Sequence, residues 1–245
     1  MLVNLTIPVY NEEVALARSI PILHSFLSTN CRFNWEIVII DNGSTDRTLQ
    51  IANDISRTYT SVYVMHIDAK GRGIALKTVW QQRTADVYSY MDVDLSTELT
   101  AFPLMIEALL LKEADICVGS RLIRSNTTKR SFKRAFISRI YNFLVKAAFQ
   151  TSFSDAQCGF KAVTSNFVRT VLPNVYHHSW FFDTELLVIA EKGGFRIADL
   201  PVCWNENFDS RVNIWQTIVE DIRGILKLRN RLKHGRISSV MDYDK

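Results

Sequence analysis

The chain has 245 residues, 47% hydrophobic and 22% charged, enough apolar material for one sizeable domain, which excludes a largely disordered chain. Nine glycines and five prolines exclude collagenous and low-complexity sequence; four scattered cysteines (Cys31, Cys117, Cys158, Cys203) with no C-x-x-C argue against a zinc cage or disulfide framework and predict reduced thiols. The net charge of +4 is uneven: residues 121–154 hold eight basic and no acidic side chains and residues 222–241 six and none, leaving 15 basic against 25 acidic elsewhere. Such a distribution fits either a localised anionic partner or two solvated helix faces.

In chain order, Leu2 to Pro8 reads as a buried strand, and Asn11 as the N-cap of a helix that Pro21 should kink or divide. Glu36 to Ile40 predicts a second buried strand, ending in the turn-rich Asp41-Asn42-Gly43-Ser44-Thr45-Asp46, with a helix over Arg47 to Arg57. Strands follow at Ser61 to Ile67, Val87 to Met91 and Ile116 to Ser120, with helices at Gly73 to Arg83 and Ala101 to Lys112. This alternation implies a parallel sheet between helices, with ligands at the loops beyond the strand ends.

After Arg121 the rhythm changes. Ser131 to Gln150 is a basic amphipathic helix, Gly159 to Val163 a strand, Thr184 to Lys192 a helix stopped by Gly193, and Phe195 to Trp204 one or two short strands around Pro201. Ile214 to His234 reads as a second basic amphipathic helix. The start of the chain shows no signal-peptide pattern and no apolar run is long enough for a membrane span, so neither is expected.

Three polar loops carry the chemistry. Asp92-Val93-Asp94, at a strand end, can turn two carboxylates toward one ligand; hard oxygen donors of this kind suit Mg²⁺ or Mn²⁺ bridging a diphosphate, although D-x-D alone also fits a solvated turn. Pro8-Val9-Tyr10-Asn11-Glu12 and the Asp41 loop follow the first two strands, where a carboxylate can accept from ribose hydroxyls or a base N–H. Gly71-Arg72-Gly73 lacks the rest of a Walker loop and reads as tight packing or a phosphate-side loop. The adjacent His177 and His178 read as loop residues rather than a metal pair.

The ordered set P-x-Y-N-E, I-I-D-N-G-S-T-D-x-T, K-G-R-G-x-A, D-V-D-L-S, G-S-R and D-x-Q-C-G-F-K resembles the family 2 glycosyltransferases, within them the dolichol-phosphate mannosyltransferase and polyprenyl-phosphate glycosyltransferase branch. The resemblance covers about Leu5 to Arg229. It implies an α/β GT-A (Rossmann-like) fold with a mostly parallel central sheet flanked by helices and C-terminal amphipathic helices. One domain is expected over residues 1–235, with a nucleotide-sugar half to residue 121, an acceptor- and membrane-facing half over 122–235 and a tail over 236–245.

Carried over by position, the resemblance implies that Pro8, Tyr10 and Glu12 line the nucleotide pocket and that Ile39 and Asp41 meet base and ribose. Lys70 and Arg72 are implied anion contacts; Asp92 and Asp94 hold the metal and donor diphosphate, and Met91 and Val93 line the donor site. Arg121 and the late basic Arg211 sit near the phosphates, and with Asp94 are the candidate catalytic residues. Ser96, Asp155, Gln157 and Lys161 fall on the sugar and acceptor side. The implied reaction is inverting transfer of a hexose from a nucleotide-diphosphate sugar, of GDP-mannose or UDP-glucose type, to a polyprenyl or dolichyl phosphate. It would use a divalent metal at the cytoplasmic face of a membrane, with peripheral attachment, a membrane-embedded partner protein as a further implication, and no nucleic acid. The alternative is a family 2 enzyme acting on a soluble or polysaccharide acceptor. Asn42 (where many relatives carry Asp), Ser96 (where many mannosyltransferases carry Gln) and Ser210-Arg211 (where Ser-Lys is frequent) depart from the pattern and leave sugar and base open. A sugar nucleotidyltransferase would open with a glycine-rich loop, and the first loop here has no glycine.

Overall fold

A computed structural model of the chain describes residues 1–123, 132–204 and 214–234; the side chains of 132–134 and 214–216 lie outside that description. Among the described residues there are seven strands: β1 (Leu2–Val9), β2 (Asn34–Asp41), β3 (Val62–His66), β4 (Val87–Met91), β5 (Ile116–Ser120), β6 (Phe160–Thr164) and β7 (Ile197–Pro201). They form one sheet in the order β3-β2-β1-β4-β6-β5-β7. Pairing is parallel except around β6, which runs antiparallel to both β4 and β5. The central strands are apolar runs with no solvent face: Leu5, Ile7, Ile37, Ile39, Val118 and Phe160 are wholly buried, the pattern of a sheet covered on both sides.

The flanking helices are α1 (Glu13–Asn30), α2 (Thr48–Thr58), α3 (Arg72–Gln82), α4 (Ala101–Leu110), α5 (Phe132–Phe149), α6 (Ser165–Val171), α7 (Phe182–Lys192) and α8 (Ile214–Lys233). One expectation at the first helix is corrected. Asn11 is not the cap: its φ is 54°, and its Oδ1 reaches across to accept from Thr45 N at 2.8 Å, a left-handed conformation that Asn tolerates better than most residues. Pro21 does not divide α1, which continues through it. The proline removes one backbone rung, and the stripe Leu16, Ile20, Leu23, Leu27 buried below holds the helix together.

Register places the site. Val9 pairs with Asp41 and Asp41 with His66, so the tips of β1, β2 and β3 end level; Thr6 pairs with Tyr90, which brings Asp92 to the same edge. Beyond β5, α5 packs on α8, and Gly224 lets α8 approach the Phe181 ring: a Cβ there would lie 2.4 Å from it. No helix among the described residues is long and apolar enough to cross a membrane.

Candidate active site

The first two loops are stitched together by short side chains. Asn11 N donates to Ser44 Oγ (2.9 Å) and Glu12 N to Thr48 Oγ1 (2.8 Å), while Thr48 in turn donates to Asp46. Tyr10 stands 38% exposed at the rim, its hydroxyl accepting from Lys70 Nζ at 2.6 Å. Below them Asp41 is fully buried; its Oδ2 takes a bond from His66 Nδ1 (2.7 Å) and from Ser44 N (3.3 Å). Hydrogen bonds to Asp41 and then Asp68 hold the His66 imidazole above the usual histidine range. Pro8 and Glu12 are half-buried at this edge, whereas Ile39, Met91 and Val93 bury their side chains.

Asp92 sits at the centre. Its Oδ1 accepts from Arg72 Nη2 at 2.9 Å, its N donates to Gly159 O at 3.2 Å, and its carboxylate fills the space a Cβ on Gly159 would need. Burial pushes the Asp92 carboxyl up, Arg72 opposes this, and the neighbouring Asp94 and Asp183 add to it. Asp94 follows on the same loop, and its two oxygens accept from Ser96 N (3.0 Å) and Oγ (2.6 Å); Leu95 between them has φ 51°. Among the described residues no group of three or more His, Cys, Asp or Glu clusters to cage a metal. Asp92 and Asp94 are hard oxygen donors of the kind that Mg²⁺ and Mn²⁺ take.

Arg72, read as an anion contact, is itself held between Asp92 and Asp183 and lies 4.5 Å over the Trp180 ring. Both carboxylates keep its guanidinium charged despite burial. Gly71 and Gly73 on either side press against the main chain of His178 and His177, where a Cβ would lie 2.3 and 2.8 Å from carbonyl oxygens. His177 and His178 are loop residues, as expected. Lys161, expected on the acceptor side, is fully enclosed: its Nζ donates to Asp183 Oδ1 (2.8 Å), Cys158 O (2.6 Å) and Tyr90 Oη (3.1 Å). Tyr90 also donates to Asp183, so Lys161, Tyr90, Asp183 and Arg72 form a buried support beneath Asp92.

A second network lies beside it. Arg121 grips Asp155 through both nitrogens, Nε to Oδ2 at 2.7 Å and Nη2 to Oδ1 at 3.0 Å, and lies 5.0 Å from the Trp204 ring. Asp155 is wholly buried; burial alone would raise its carboxyl, but the Arg121 pair outweighs it and holds it below the usual range. Gln157 Nε2 reaches α8 to donate to Asp221 Oδ2 at 2.8 Å. Burial, helped by Glu220 and Asp183, pushes the Asp221 carboxyl up to about 7 against the Gln157 bond. Arg211 lies outside the described residues.

His66, Tyr90, Gly159, Trp180, Asp183, Trp204 and Asp221 were not singled out by sequence. Two had a usable signal. Asp183 is an acid in the first turn of α7, which also reads as ordinary dipole compensation. Asp221 interrupts the inward stripe of α8 between Ile218 and Ile225, Leu228, where an acid is out of place.

Solved structures show the same fold. Glucosyl-3-phosphoglycerate synthase from Mycobacterium tuberculosis in complex with UDP aligns with a TM-score of 0.71 at 15% identity, over 93% of this chain and 80% of that one. The same protein with Mn²⁺ and UDP-glucose aligns at 0.70, over 93% and 79%. This is the GT-A architecture, the α/β fold with a mostly parallel sheet flanked by helices.

Curated relatives include glycosyltransferase AglD of Haloferax volcanii, 32% identical over 91% of this chain and 35% of that protein. A dolichyl-phosphate beta-glucosyltransferase of Trichomonas vaginalis is 29% identical over 86% of this chain and 68% of its own length, and that of Saccharomyces cerevisiae 27% over 83% and 66%. The chain thus spans about a third of the first relative and about two thirds of the others. The sequence profile of Glycosyl transferase family 2 matches residues 5–172, a stretch that runs from the first strand past Lys161, and the chain belongs to that family.

Proposed function

We propose that the protein transfers a hexose, with inversion, from a nucleotide-diphosphate sugar to a polyprenyl or dolichyl phosphate at a membrane surface. The relatives named dolichyl-phosphate beta-glucosyltransferases weigh toward glucose over mannose. The observation that carries the lipid acceptor is the double face of α8. Asp221 points inward onto Gln157, while Ile222 and Leu226 beside it are 47% and 62% exposed. The neighbouring α5 also exposes Phe136, Ile140, Phe143 and Leu144, with Arg139 on the same helix and Arg223 and Lys227 on α8 exposed to solvent. Apolar side chains mixed with cations suit a helix pair lying in the headgroup plane. A prenyl phosphate could then present its phosphate beside Gln157 while its chain stays in the bilayer.

Asp92 and Asp94 would hold Mg²⁺ or Mn²⁺ together with the donor diphosphate; when bound, the metal neutralises charge on the leaving group. Every other step is assigned to the chain itself. Arg72 fixes Asp92, and the Asp183–Lys161–Tyr90 support fixes Arg72. Arg121, oriented by Asp155, would face the donor phosphates, and Arg211 would supply a further cation. A phosphomonoester has a second pKa of about 6, so the attacking oxygen is already ionised at neutral pH and needs no strong base. What the site must supply is alignment of two anions and electrostatic stabilisation of a cationic sugar transition state.

The test is direct. Purified protein with Mn²⁺ or Mg²⁺, a polyprenyl phosphate and a panel of nucleotide sugars should yield a glycosyl phosphoryl lipid by mass spectrometry, and chelation should stop it. Transfer only to a soluble or polysaccharide acceptor would replace the lipid reading with the second one.

A further inference from the structure

The tip of β2 holds two buried acceptors with no donor. Asp41 Oδ1 and Asn42 Oδ1 both lack a hydrogen-bond partner, although the two residues are 0% and 5% exposed. Buried polar atoms are nearly always partnered, so two orphans side by side at the ligand edge mark a place where donors arrive from outside the chain. Asp199 and Asp221 also keep one buried oxygen without a partner; the Asp41–Asn42 pair differs in its place at the tip of β2, on the ligand edge of the sheet. Asp155 and Asp115 are each gripped on both oxygens by an arginine. Asp41 is deeper than Asp115, yet only its Oδ2 is engaged.

The group engaging Oδ2 is set by the sheet. His66 is the register partner of Asp41 across β2 and β3, so its ring meets the carboxylate without help from a loop. Nδ1 lies 2.7 Å from Asp41 Oδ2 and Nε2 3.2 Å from Asp68 Oδ1. With an acceptor at each ring nitrogen the imidazole is fixed in orientation, and both nitrogens serve best as donors. Gly43, at φ +71°, lies close against the Asp68 carbonyl, where a Cβ would come within 3.0 Å, and so draws the second loop over the pair.

We propose that His66 is the positioning residue of the nucleoside pocket: it pins Asp41 through Oδ2 so that Oδ1 is presented to an N–H of the base or an O–H of the ribose. This rests on the nucleotide-sugar reading given above and adds to it a residue whose effect is confined to the nucleoside half of the donor. His66 touches none of the groups assigned to the diphosphate, metal or acceptor, so its loss should weaken donor binding and spare the chemical step.

The experiment compares wild type, His66→Ala and His66→Asn; the Asn amide can donate from near the position of Nδ1. UDP and GDP binding is measured by calorimetry, and donor KM and kcat by lipid-product formation, with thermal melting as the check on folding. His66→Ala should weaken binding of the preferred nucleoside diphosphate at least tenfold and raise donor KM by the same factor, with kcat at saturating donor within twofold of wild type. His66→Asn should recover most of the affinity. Unchanged binding in His66→Ala overturns the proposal, as does a parallel loss of kcat that Asn fails to rescue, which would make His66 a packing residue. A folded wild-type protein that binds neither nucleotide would overturn the nucleotide-sugar reading itself.

Discussion

Alanine at Gly159 tests whether the placement of Asp92, and not only its presence, matters. A Cβ at Gly159 would fall 2.0 Å from Asp92 Oδ2, 2.5 Å from Cγ and 2.7 Å from Oδ1, where ordinary contacts begin near 3.4 Å. The strand cannot part to make room, because Asp92 N is bonded to Gly159 O. The carboxylate must therefore retreat by more than about 1 Å, losing its 2.9 Å bond to Arg72. Arg72 keeps Asp183, so the fold should lose only the roughly 1–3 kcal/mol of a local overpacking. A misplacement of about 1 Å in a reacting constellation can lower the rate about 100-fold, roughly 2.7 kcal/mol in the barrier. The assay is kcat/KM with nucleotide sugar and polyprenyl phosphate, run beside denaturant unfolding. Gly194→Ala is the control: its φ is +80° with nothing within 4 Å, so it should lower stability by about 1 kcal/mol and leave turnover alone. Turnover of Gly159→Ala within threefold of wild type would refute the reasoning.

Other expectations follow from the two buried networks and the exposed face. Asp183→Ala leaves Lys161 buried without its counter-charge and should lower unfolding free energy by about 3–5 kcal/mol, measured by urea unfolding; a loss under about 1 kcal/mol would refute the counter-charge role. Asp221, at about 7 folded against an ordinary carboxyl near 4 unfolded, keeps a proton in the folded state that the unfolded state has lost between those values. Stability should therefore fall as pH rises from 4 to 7, by roughly 3–4 kcal/mol, and Asp221→Asn should flatten that slope; an unaltered slope assigns it to other groups. Arg139, Arg223 and Lys227 replaced together by Gln should weaken binding to anionic liposomes about 100-fold, at about 1 kcal/mol per cation, without altering nucleotide affinity; equal co-sedimentation at low salt removes these helices as the membrane contact.

Local signals carried the first half of the fold well. Val87 to Met91 and Ile116 to Ser120 are bounded as read, because each is a fully buried run ended abruptly by polar turn residues. The antiparallel direction of β6 had no such signal: it depends on how the chain returns after α5, a matter of connection rather than of composition. The same holds for Lys161. Its sequence neighbourhood says only that a basic residue follows Gly159-Phe160; its burial depends on Asp183, 22 residues on, and Tyr90, 71 residues back. The loops bearing Asp41, Asp92 and Asp94 were legible because strand tips in an alternating sheet share an edge. His66 was not, since its importance rests on the β2–β3 register, which a lone histidine at a strand end does not announce.

The reversed strand also decides how the chain can be divided. Among the described residues β5 has no neighbour that precedes it in sequence: it pairs with β6 and β7, and β6 occupies the place next to β4. During synthesis the four-strand sheet β3-β2-β1-β4 is complete once Met91 has emerged, yet its open edge and the stranded β5 wait until Thr164 is made. The whole of α5, with its exposed Phe136 and Phe143, leaves the ribosome inside that interval. A fragment ending at Arg121 would thus carry a bare edge and an unpaired strand, the features that lead sheets to aggregate, and the stretches on either side of that residue are one unit of assembly.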